Sequence, residues 1–178
     1  MTYLVSQFQI SDENLLLFKR FVKKPMDCVI NALELLFILE HNSADLMRIV
    51  VGDYGITIEQ IENIFKYVNP QHRFRFFRYT NIETLSRFCQ AELVPGHVIF
   101  CGYNMGGFKH VFLIGKNLDG SVMYIDPQQD AFCDLSSEEC YEYIKDAEEY
   151  YILQSTMSLK QIQQQQKRAM QVQMQNQL

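Results

Sequence analysis

The period of the hydrophobic positions changes once along this chain, at Pro95. Before that residue, apolar positions recur at helical spacing; after it, they alternate in short strand-like runs. Ser11-Asp12 reads as a cap for a short helix through Leu15, Leu16, Leu17 and Phe18, ended by Lys23-Lys24-Pro25 because the residue before proline avoids the α region. Asp27 reads as the cap of the next helix, residues 28–39, which is apolar nearly all round and is therefore expected to be buried at the centre. Residues 44–50 continue as helix until Gly52-Asp53-Tyr54-Gly55 breaks it. Thr57 with Gln60, and Thr80 with Glu83, have capping-box spacing and open helices through Ile61, Ile64, Phe65 and Val68, and through Leu85, Phe88 and Leu93. Residues 73–79 read as a strand.

Beyond Pro95 the pattern predicts strands over 97–103, 109–115 and 121–126, with a turn at Met105-Gly106-Gly107. The second and third strands are joined by Asn117-Leu118-Asp119-Gly120, where Asp-Gly supplies the positive φ of a hairpin turn. Ser136 or Ser137 caps a helix through Tyr141 and Ile144, and residues 150–153 form a last strand. Helices first and antiparallel strands afterwards is the α+β class. After Ser158 the composition shifts: nine of the 18 residues 161–178 are Gln, with Leu159, Ile162, Met170, Met174 and Leu178 on one weak stripe. The expected division is a domain at 1–156 and a Gln-rich helical or extended tail at 157–178, lying outside the core.

Composition narrows the function classes. With 178 residues, 48% of them apolar, the chain has material for one well-filled core. A net charge of −5 argues against a nucleic-acid binder, although residues 72–78 alternate basic and aromatic side chains, a pattern that suits single-strand RNA as well as a strand with one wet face. No apolar run is long enough to cross a membrane, and no charged-then-apolar leader opens the chain, so none is expected. Five scattered cysteines (28, 89, 101, 133, 140) without a CxxC pair point to reduced thiols in the cytoplasm, with no disulfide framework, no metal site and no cofactor.

One of those cysteines stands apart. Cys28 falls in the first turn of the buried helix, where unpaired N–H groups and the positive dipole end favour thiolate and can cradle an oxyanion. The competing reading is a small core residue. His110 opens an apolar strand after a Gly-Gly turn and needs a polar partner; His97, after Pro-Gly, is the rival base, whereas His41 and His72 look like surface residues. Asp126 ends the strand paired with that of His110 through the hairpin, where a carboxylate can fix an imidazole tautomer. Its competing reading is a strand-ending Asp-Pro turn.

The ordered series — cysteine on a buried helix, Gly-His-Val-Ile-Phe-Cys, then His-Val-Phe-Leu-Ile-Gly, then Val-Met-Tyr-Ile-Asp-Pro — resembles the papain-like superfamily of cysteine peptidases over residues 25–155. The likeness is to its compact branch, which includes peptidase domains that trim double-glycine leaders from bacteriocins and papain-fold toxin domains. The resemblance implies a papain-like fold with the Cys helix packed on a C-terminal antiparallel sheet, and a Cys28, His110, Asp126 triad acting on a peptide, isopeptide or amide of a protein or peptide substrate. Members carry a Gln shortly before the Cys whose amide completes the oxyanion hole; residues 20–24 hold none. Gln7, Gln9 and Asn14 are the candidates to replace it, or Lys23 and Lys24. Loss of one such donor costs about 10²–10³ in turnover. That departure keeps an alternative open: a weak or inactive papain-fold interaction protein of a larger assembly such as a viral particle, in virion or host cytoplasm, held by a partner on tail residues 159–178.

Overall fold

The structure, a computed structural model, describes residues 4–5, 7–9, 27–36, 39, 41–51, 56–68, 74–105, 108–155 and 159–176. The expected helix at 15–18, Lys23, Lys24, Pro25, His72 and the Gly106-Gly107 turn lie outside these residues. The elements are strands β1 (Leu4–Val5) and β2 (Gln7–Gln9), helices α1 (Cys28–Leu35), α2 (His41–Val51) and α3 (Ile58–Val68), strand β3 (Phe74–Tyr79), helix α4 (Ile82–Glu92), strands β4 (His97–Met105), β5 (Phe108–Lys116), β6 (Val122–Asp126) and β7 (Ala131–Asp134), helix α5 (Glu138–Ile144), strand β8 (Glu149–Ser155) and helix α6 (Leu159–Asn176). The class is α+β, as the change of period predicts.

The sheet is antiparallel throughout. Six strands run in the order β3-β8-β4-β5-β6-β7. β4 and β8 pair directly from Cys101↔Ile152 to Asn104↔Glu149. Further along they take separate partners, β8 pairing β1 (Val5↔Gln154) and β4 pairing β2 (Phe8↔Val98), so β1 and β2 are wedged between them.

Because side chains alternate across a strand, the sheet serves two cores. Val98, Phe100, Val111, Leu113, Ile125 and Leu153 face α1 and, beyond it, Ala44 and Ile61. Ile99, Phe112, Ile114, Tyr124 and Ile152 face the opposite way, onto Leu85 and Cys89 of α4 and Cys140 and Ile144 of α5. Helix α1 carries little of its own surface to water: Val29 to Leu35 are all buried, Asn31 and Glu34 included.

Local chemistry explains most element ends. Thr57 and Gln60 exchange both capping-box bonds, 2.8 and 3.2 Å. Ser137 caps α5 by accepting from the Cys140 N–H, while Ser136 bonds back to Asp134. The hairpin closes with Gly120 at φ 90° and its N–H donating to the Asn117 carbonyl at 3.0 Å. Three expectations are corrected. The cap of α4 is Asn81, not Thr80; its oxygen accepts from the Thr84 N–H at 2.8 Å. α1 ends at Leu35 rather than Leu39. Asp27 occupies the cap position of α1 but makes no capping bond, because its buried carboxylate turns toward the Arg48 guanidinium, 3.6 Å away.

The Gln-rich segment is helical and partly embedded. Gln166 is buried and donates to the Leu36 carbonyl at 2.8 Å, and Gln163 reaches His97 Nε2 at 2.9 Å. No helix among the described residues is long and apolar enough to cross a membrane.

Candidate active site

The β5–β6 hairpin fixes two of the three candidate residues. The last rung pairs Leu113 with Ile125, so Asp126 stands one residue past it and His110 three residues past it on the facing strand. His110 Nε2 meets Asp126 Oδ2 at 2.5 Å, with both residues buried. That assignment leaves Nδ1 as the free-standing ring nitrogen, and Cys28, in the first turn of α1, lies near enough to the imidazole to interact with it. The three residues predicted from sequence are therefore brought together in the order thiol, imidazole, carboxylate.

Asp126 is the most heavily satisfied group in the region. Oδ2 also accepts from the Tyr124 hydroxyl at 2.7 Å and from Gln129 Nε2 at 2.8 Å, while Oδ1 accepts from the backbone N–H of Gln128 at 3.0 Å and of Gln129 at 3.3 Å. Burial alone would raise its pKa; His110, Tyr124 and Gln129 outweigh burial and hold the carboxyl below its usual range. Burial likewise opposes the charged form of His110. The hydrogen bonds to Asp126 and Cys28, and their charges, prevail and lift the imidazole from 6.5 to about 9. The imidazole is therefore favoured in its charged form.

The other cysteines are built differently. Cys28 is half-buried, and Cys89, Cys101, Cys133 and Cys140 are buried. Burial pushes the Cys89 and Cys140 thiols up to about 12 and raises Cys101 and Cys133 as well. These four are core atoms of the α4–α5 side.

Of the remaining candidates, His97 is held away from the thiol by its own partners: Nδ1 on the Pro95 carbonyl at 3.1 Å and Nε2 on Gln163. His41 bridges Glu34, at 2.5 Å, and Asp45, at 3.2 Å. Gln7 and Gln9 stand in β2 opposite Ile99 and His97, whereas His110 pairs with Tyr103. Tyr103 is four positions beyond Ile99 along β4, about 13 Å at strand rise, so the register does not bring the Gln7 backbone to the triad. Asn14 lies outside the described residues.

Sequence reasoning missed the residues that surround the pair. Tyr103 is buried with its ring 5.3 Å from the imidazole, and Phe112 follows at 6.5 Å. Gly102 lets β4 approach closely; a Cβ there would sit 3.0 Å from the His110 carbonyl oxygen. The parity of Tyr124 with Asp126 on one strand face was the available signal for its hydroxyl bond. Gln128 and Asn31, hydrogen-bonded to each other across the site, carry no local signal at all. No group of three or more His, Cys, Asp or Glu among the described residues is arranged to hold a metal ion. No protein-family model matches the chain, and no curated protein matches it.

Proposed function

We propose that this chain is a papain-like cysteine hydrolase that cleaves a peptide, isopeptide or side-chain amide bond, with Cys28 as nucleophile, His110 as acid and base, and Asp126 orienting the histidine. The observation that carries the reading is the buried His110–Asp126 hydrogen bond with the half-buried Cys28, at the start of α1, beside the same imidazole. The α+β order with the Cys helix packed against an antiparallel sheet supports the papain-like assignment.

Cys28 Sγ attacks the carbonyl carbon, and the electron pair of the C=O moves onto oxygen. The N–H groups of the first turn of α1, which Asp27 does not cap with its side chain, are the donors nearest that oxygen. Collapse of the adduct breaks the C–N bond as the His110 imidazolium gives its proton to the departing amine, leaving a thioester on Cys28. Neutral His110 then takes a proton from water, hydroxide attacks the thioester, and the acid product leaves with thiolate and imidazolium restored. Asp126 keeps its proton off and holds Nε2–H throughout.

The test is the pH profile of Cys28 alkylation by iodoacetamide, read by peptide mapping, alongside cleavage of peptide and isopeptide libraries. Cys28 reacts on a limb well below that of a free thiol, His110→Ala removes the limb, and Cys28→Ala abolishes cleavage. A free-thiol profile in the unaltered protein, or cleavage surviving Cys28→Ala, overturns the reading.

A further inference from the structure

Resting on that reading of Cys28, His110 and Asp126, we propose that Asn31 and Gln128 form a clasp that sets the spacing between the nucleophile helix and the turn carrying Asp126, and so act as positioning residues for Cys28.

The site is assembled from two separately supported pieces. His110 and Asp126 belong to one hairpin, whose ladder and five bonds to the Asp126 carboxylate fix their mutual geometry. Cys28 belongs to α1, which rests on the apolar face of the sheet through Val29, Ile30, Leu33 and their neighbours. Apolar contact is non-directional, so it fixes how deeply the helix sits more firmly than where it stands along the sheet. A directional tie is needed to hold the thiol at hydrogen-bond distance from the ring.

Asn31 provides it. It lies one turn along α1 from Cys28, on the same face of the helix, and is fully buried. Its Nδ2 donates to Gln128 Oε1, joining segments 97 residues apart. Gln128 is two residues from Asp126 and its own N–H donates to Asp126 Oδ1. The orientation of the Asn31 amide is fixed from behind: Oδ1 accepts from Arg48 Nη2 at 2.8 Å, and an arginine can only donate. Arg48 is in turn held by Glu34 at 2.5 Å and Asp45 at 2.8 Å. The restraints run in series: Cys28 to Asn31 along the helix, Asn31 to Gln128, Gln128 to Asp126, and Asp126 to His110, the ring beside which Cys28 stands.

The experiment measures the pH profile of Cys28 carboxymethylation by iodoacetamide in the full chain, unaltered and as Gln128→Ala, Asn31→Ala and the double variant, with thermal unfolding of each. Gln128→Ala at this half-buried turn slows alkylation at pH 6–7 by about ten- to a hundredfold, the scale on which a misplacement of about 1 Å acts. Its low-pH limb moves toward that of a free thiol, and the double variant reacts no more slowly than the slower single. If Asn31→Ala does not fold, Gln128→Leu joins Gln128→Ala in its place, since neither side chain can hydrogen-bond to Asn31. An unchanged profile in Gln128→Ala, a loss of thermal stability without a shift in the profile, or additive effects in the double variant overturns the clasp. A free-thiol profile already present in the unaltered protein overturns instead the reading of the triad.

Discussion

Replacing Asp126 by Asn keeps shape and volume and removes one charge, yet no orientation of the new amide can satisfy its surroundings. Asp126 accepts all five of its hydrogen bonds, three on Oδ2 and two on Oδ1. If the amide oxygen stays with the backbone N–H groups of Gln128 and Gln129, its NH₂ faces the Gln129 NH₂ and His110 Nε2. The imidazole must then accept at Nε2 and carry its proton on Nδ1, toward Cys28, where it can no longer take the thiol proton. If the amide is reversed, its NH₂ meets two backbone donors. The lift of His110 from 6.5 to about 9 amounts to roughly 3 kcal/mol in favour of the imidazolium. Asp126 leads the causes that raise it, and burial is the largest opposing one, so Asp126→Asn brings the imidazole back toward its ordinary 6.5. The assay is NMR titration of ring-labelled protein, with His110→Gln to identify the resonance, combined with Cys28 carboxymethylation from pH 5 to 10. At pH 7 an imidazole at about 9 is almost fully protonated and one at 6.5 is about a quarter protonated, so the imidazolium population, and the alkylation rate that depends on it, falls about fourfold. A His110 resonance that still titrates near 9 in Asp126→Asn refutes the assignment of Asp126 as its orienting charge.

Three further outcomes follow from the same geometry. His110 has a raised pKa, so its contribution to stability is complete below 6.5 and is lost as pH climbs through about 9; urea unfolding of unaltered protein against His110→Gln shows the difference shrinking across that window, and a constant difference contradicts it. Gly115→Ala places a methyl 2.8 Å from Val98 Cγ1 and 3.1 Å from Ile125 Cδ1, where β4, β5 and β6 meet, and lowers unfolding free energy by about 1–3 kcal/mol in denaturant titration; an unchanged midpoint shows that this layer is loosely packed. Ending the chain after residue 158 removes the Gln163–His97 and Gln166–Leu36 bonds, and the truncated domain folds with a loss of about 1–3 kcal/mol; equal stability shows the helix to be energetically detached.

The residues that could be read from sequence are those whose reason is local. The apolar run 28–39 announced a buried helix, Asp-Gly announced the hairpin, and that hairpin carries His110 and Asp126 beyond the same end of its ladder. Tertiary partners decided the rest. Asp27 has the residue type of a cap, and the buried Arg48 claimed its carboxylate. Asn81 captured the cap of α4 because it stands three residues before Thr84, the spacing at which a cap side chain accepts from that N–H. The two- and three-residue strands β1 and β2 are too short for alternation to register, and they exist because β4 and β8 leave room between them. Glutamine in the tail looked like a solvated surface, and the burial of Gln166 depends on a carbonyl 130 residues earlier.

The wedge between β4 and β8 also dictates an order of assembly. β8, the last strand of the sheet in sequence, pairs with β3, β4 and β1, and its register joins Leu4 to Ser155. A growing chain can close the β4–β5–β6 meander early, because its contacts are short in sequence, and His110 and Asp126 meet in that stage. The sheet itself stays open until residue 155 is free to insert. Loop closure over that span is slow, which places this protein among the high-contact-order folders, with β4 offering an unpaired edge while it waits. The hairpin half of the site thus exists before the edge beside it is sealed, and conditions that delay β8 expose β4 to pairing with a second chain.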